Sequence, residues 1–141
     1  MPELKTHKGR RVNEPKDGAS VSTNAVLGDE ALQLALKSIH PEWGDFCIRA
    51  AAEVWGRPHV DQKTKALITI AVDVANTNIS GPGSPFEAHV HMALAQGASV
   101  AEIEEVLMFM SVYAGFNKAA SAFGRFAEIR ANGKTGFGDA V

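Results

Sequence analysis

A single cysteine, Cys47, means that this 141-residue chain cannot form an internal disulfide. A reducing, cytoplasmic compartment is therefore expected. Long apolar runs are missing too, and nothing approaches the roughly 20 residues that a membrane-spanning helix needs. The first residues are polar and carry no apolar export core, so secretion is not expected. Charge of one sign is also lacking: 14 basic residues against 16 acidic ones leave a net charge of −2. That balance gives no electrostatic reason to expect nucleic acid or an anionic membrane as partner. Alternating strand patterns, heptad arrays and low-complexity tracts are absent as well.

What remains is helical patterning, and the fold class expected is all-α. Residues 1–25 hold Lys5, Lys8, Arg10, Arg11 and Lys16 among Gly, Pro, Asn and Ser and read as a flexible N-terminal arm. Residues 26–130 read as one helical domain, and 131–141 as a loose, Gly-rich tail. A first helix follows Gly28 and carries Leu32, Leu34, Leu36 and Ile39, until His40-Pro41 breaks it. A second, Trp43 to Val54, ends at Gly56-Arg57-Pro58. Asp61 is a suitable N-cap for a third, Lys63 to about Asn76, whose stripe Leu67, Ile70, Ala71 and Val74 is widened by Ile68, Val72 and Ala75. So apolar a helix is expected to lie centrally. Asp73 is its odd member, and a buried Asp needs a partner, whether its role is structural or catalytic. Gly97 should end the fourth helix; Ser99 and Glu102 form a capping box for the next. After Gly115, Asn117 to Arg130 forms the last helix.

Chemistry concentrates in Ser80-Gly-Pro-Gly-Ser-Pro-Phe-Glu-Ala-His-Val-His-Met92, where the fourth helix begins. Ser84, Pro85 and Glu87 fit N-cap, N1 and N3 of a capping box, so Glu87 is explained by capping or by chemistry. His89 and His91 are two residues apart and so point about 200° from each other, which prevents joint metal ligation from a regular helix. No metal is expected. His89 borders the apolar side near the helix start, a setting that favours the neutral imidazole of a general base. His91 is expected to face outward or into a subunit contact. The Gly81-Pro-Gly83 loop lets backbone approach a ligand, and the Ser84 helix end can hold a carboxylate. Arg57 can pair bidentately with another.

The segments EVWGRPHVDQKTKALITIAV, AHVHMALAQGASVAEIEEVL and YAGFNKAASAF together resemble the carboxymuconolactone decarboxylase family of the alkylhydroperoxidase D-like superfamily, from about Gly44 to Glu128. The resemblance implies a helical bundle of about six helices that assembles as a homotrimer or homohexamer. It implies that His89 is the active-site histidine and that Glu53, Trp55, Arg57 and Pro58 lie near the pocket. Three departures stand out. The Cys-x-x-Cys pair of the peroxidase branch is missing, which excludes thiol peroxidase chemistry. The acidic residues four and five positions before the histidine are replaced by Pro85 and Ser84. The Asn76–Ser84 segment is also about three residues longer than is usual in the family.

The expected function is that of a cofactor-free enzyme of aromatic-compound breakdown acting on a small conjugated carboxylate. His89 and Glu87 are its candidate catalytic residues. Trp55, Arg57, Ser84 and His91 are its candidate substrate-binding residues. The missing acidic pair favours cis–trans or keto–enol isomerisation, with decarboxylation as the alternative. A non-catalytic helical oligomer that binds a ligand is the rival reading.

Overall fold

The computed structural model describes residues 23–133. Most of the arm and tail, residues 1–22 and 134–141, lies outside them. Six α-helices and no strand occur among the described residues: α1 Glu30–Ile39, α2 Pro41–Trp55, α3 Gln62–Ala75, α4 Pro85–Ala95, α5 Val100–Tyr113 and α6 Phe116–Asn132. None is long and apolar enough to cross a membrane. The chain divides into two compact units, Met1–Lys65 and Ala66–Val141, with the boundary inside α3.

In the first unit, one residue separates two helices. His40 ends α1 in an extended conformation and caps α2, where its Nδ1 accepts the Trp43 N–H at 3.1 Å. Pro41 takes the first helical position, where a missing N–H costs nothing, so α2 starts two residues earlier than Trp43. The two helices meet closely at Gly44: a methyl group there would stand 2.6 Å from the Leu36 carbonyl and 2.7 Å from the Lys37 Cα. Glycine is needed for that approach.

Polar side chains close the other end of α2. The buried Gln62 amide donates to the Trp55 carbonyl and accepts the Ala25 N–H, both at 2.7 Å. Lys65 Nζ donates to the Trp55 and Arg57 carbonyls, also at 2.7 Å. Desolvation lowers the Lys65 pKa from 10.5, with Asp61 opposing. The apolar pattern of α1 and α2 is only partly used. No α1 residue is fully buried, and Leu34, Ile39, Phe46 and Val54 are more than half exposed.

The second unit holds a fuller core. Ile70 and Val74 of α3, Phe86 and Val90 of α4, Ile103 and Leu107 of α5, and Ala122 and Phe126 of α6 are buried. Ile68 and Val72, however, are about half exposed (51% and 49%), so the described residues do not cover α3 on all sides. Local signals set the remaining boundaries. Ser99 and Glu102 make the reciprocal capping box of α5, and Gly97 adopts φ +95° after the α4 C-cap. Lys118, in the first turn of α6, donates to the Ala75 carbonyl at the end of α3.

Candidate active site

The second unit brings α3, α4 and α6 together through charged side chains. Asp73, four per cent exposed, sits in the last turns of α3 and places Oδ2 2.5 Å from His89 Nδ1 on α4. An unpaired buried carboxylate would cost several kcal/mol, and His89 supplies its partner. An ionised carboxylate only accepts, so this contact assigns the ring proton to Nδ1. The other nitrogen, Nε2, makes no hydrogen bond among the described residues, and the His89 side chain is a quarter exposed. A ring so held can accept a proton at Nε2 when neutral and return it when charged. The carboxylate stabilises the imidazolium.

Glu87 has a different setting. The Ser84 hydroxyl accepts the Glu87 N–H at 3.2 Å, as a cap should. The Glu87 carboxylate does not return to the Ser84 N–H, so the expected capping box is only half formed. The Gly81 carbonyl takes that N–H instead. Glu87 Oε1 receives the Gly83 N–H and the Arg125 Nη2, each at 2.8 Å. His91 Nε2 stands 3.8 Å from the second Glu87 oxygen and is about half exposed, on a different bearing from His89.

The α4 helix end is already occupied. Pro85 has no N–H, the Phe86 N–H is bonded to the Asn78 carbonyl, and the Glu87 N–H is bonded to Ser84. Ser84 is buried, and its hydroxyl also donates to the Ile79 carbonyl. No first-turn donor remains for a substrate carboxylate, so Ser84 acts here as a cap.

Trp55, Arg57 and Glu53 belong to the first unit. Trp55 is buried, whereas Glu53 and Arg57 are exposed. The Arg57 guanidinium has no partner among the described residues, while its carbonyl is held by Lys65. No group of three or more His, Cys, Asp or Glu capable of holding a metal occurs among the described residues. Cys47 is half-buried and unpaired.

Arg125 is the one site residue that the sequence reading passed over. Its side chain is 11% exposed and bonds Glu87 and the Gly81 carbonyl, while its Nε is buried without a partner. A signal existed: Arg125 lies three residues after Ala122 and four before Ile129, on the buried face of α6.

The chain matches the sequence profile of the carboxymuconolactone decarboxylase family over residues 41–128. It is also similar to 4-carboxymuconolactone decarboxylase from Acinetobacter baylyi (strain ATCC 33305 / BD413 / ADP1), with 29% identity over 118 residues, 81% of this chain and 84% of that one. No solved structure matches it. The matched profile covers α2 to most of α6, including the Asp73–His89 pair and Arg125, and the chain belongs to the carboxymuconolactone decarboxylase family.

Proposed function

We propose that this protein is a decarboxylase of a carboxylate-bearing, conjugated lactone of the 4-carboxymuconolactone type. The observation that carries the reading is the buried Asp73 carboxylate against His89 Nδ1, which leaves Nε2 available for proton transfer. Loss of carbon dioxide breaks the carbon–carboxylate bond and passes its electron pair into the conjugated ring system. Protonation of the resulting carbanion equivalent completes the reaction, and the imidazolium Nε2–H supplies that proton. Asp73 lowers the cost of the charged ring before the transfer. Water then reprotonates His89.

The similarity to a named decarboxylase favours this outcome over the isomerisation suggested by the missing acidic pair. Both begin from the same proton-transferring histidine. The exposed Arg57 guanidinium, just past the end of α2 that the buried Trp55 anchors, is proposed on its own chemistry to pair with a carboxylate. Ser84 contributes by fixing the start of the His89 helix. The chemistry proposed for His89 uses no cofactor.

We also propose that the chain self-associates. Met108, Phe109, Val112, Tyr113 and Phe116 are 66%, 61%, 72%, 73% and 76% exposed, a continuous apolar run from late α5 into α6. Such a patch is typical of a covered interface. A homotrimer or homohexamer would cover it.

Incubation with 4-carboxymuconolactone tests the activity, with released carbon dioxide measured against substrate consumed. Stoichiometric release supports decarboxylation, and consumption to an isomer of unchanged mass refutes it. A silent screen, with thermal stabilisation by an unconsumed acid, would instead favour the ligand-binding alternative.

A further inference from the structure

We propose that Arg125 and Glu87 are positioning residues whose bonds form a clasp on the 80–84 loop, and that the loop so ordered, which leads directly into the helix carrying His89, takes part in substrate binding. The inference rests on the decarboxylase reading for its kinetic consequences but not for the clasp itself.

The loop has little packing of its own. Residues 80–83 are exposed, Gly81 and Gly83 take φ values of +85° and +74°, and neither has a neighbour within 4 Å of where a Cβ would stand. A segment held so lightly by apolar contact would open readily. Polar bonds hold it instead. One guanidinium nitrogen, Arg125 Nη2, reaches the Gly81 carbonyl at 3.1 Å and Glu87 Oε1 at 2.8 Å. The same carboxylate oxygen takes the Gly83 N–H. The circuit therefore runs from α6 to both glycines and back through the α4 residue two places before His89.

Burial makes the circuit more than a surface ion pair. The Arg125 side chain is 11% exposed, and its Nε finds no partner. A guanidinium kept there for packing alone would be replaced at little cost by an apolar chain. Its polar function is to place Glu87 and Gly81. Glu87, with its carboxylate engaged twice, is thereby assigned to holding the loop and not to proton transfer.

Amide exchange and kinetics on the full-length protein test this. In Arg125→Met and Glu87→Ala, the Gly83 amide is expected to exchange about tenfold faster or more, because its acceptor is lost or released. KM for 4-carboxymuconolactone is expected to rise by about tenfold, with kcat changing far less, since the reacting groups remain. Glu87→Gln retains a carbonyl oxygen for both donors and should recover most of the KM lost in Glu87→Ala. Unchanged Gly83 exchange in Arg125→Met and Glu87→Ala would overturn the clasp. Faster exchange with unchanged KM would overturn its role in substrate binding. A kcat that collapses in both Glu87→Gln and Glu87→Ala would overturn the assignment by making Glu87 a proton-transfer group. If Arg125→Met fails to fold, the two Glu87 variants decide the matter. A wild-type protein inert toward the lactone defeats the decarboxylase reading, and exchange at Gly83 still judges the clasp.

Discussion

Replacing Asp73 by asparagine changes one charge at a buried site while keeping its shape. In the wild type, Oδ2 lies 2.5 Å from His89 Nδ1, and the acid is four per cent exposed. A hydrogen bond to a charged group contributes about 1.5–3 kcal/mol, and a neutral one about 0.5–1.5 kcal/mol. The substitution should therefore remove about 1–1.5 kcal/mol from the state in which His89 is an imidazolium. If that state precedes the rate-limiting step, kcat/KM falls roughly five- to thirteenfold. Nitrogen NMR of the His89 ring gives a second reading that needs no substrate. The wild type should show a protonated Nδ1 and, in neutral imidazole, a bare Nε2. The variant should show a mixture, because an asparagine can also donate through its amide. A variant with unchanged kcat/KM and an unchanged ring spectrum would refute the claim that Asp73 sets the state of His89.

Other expectations follow from the packing and the charges. Gly44→Ala puts a methyl group 2.6 Å from the Leu36 backbone. Overpacking costs about 1–3 kcal/mol against a helix-propensity gain of up to about 1 kcal/mol, so a lower melting temperature is expected by thermal denaturation. Val112→Lys places charge in an apolar patch whose residue is 72% exposed, and light scattering should find a smaller assembly than the wild type. The Lys65 amine releases its proton below 10.5 in the folded chain, so the unfolded chain binds more protons just below that pH. Stability contributed by this group therefore rises with pH in that window and is lost as pH falls through the folded value. Urea titrations should show Lys65→Met lacking that rise.

Much of the helical framework was legible because its signals are local. The Ser99–Glu102 box, the proline at the start of α4 and Gly97 after its end each act within one turn of chain. His89 was legible through its place on the α4 face, but Asp73 only as an anomaly. Its need for a partner was plain, yet the partner lies 16 residues away on another helix. Glu87 misled for a related reason. Its spacing from Ser84 satisfies a capping box, but a buried arginine 38 residues later competes for the carboxylate and wins it. Arg125 itself was hidden in a helix whose apolar positions looked complete without it. The exposed stripe residues Ile68 and Val72 make the opposite point: periodicity reports which face is apolar, not what covers it.

Proton delivery by His89 is the centre of this account, and turnover of 4-carboxymuconolactone in deuterated water measures it most directly. The wild type should release one carbon dioxide per substrate and leave one solvent deuterium on the ring carbon next to the lactone carbonyl, where the delocalised electron pair is protonated. His89→Ala, if folded with an unchanged helical spectrum, should lose at least about a hundredfold in kcat, the scale of a general acid–base contribution. Undiminished turnover by His89→Ala, or a product that keeps its carboxylate, would contradict the account.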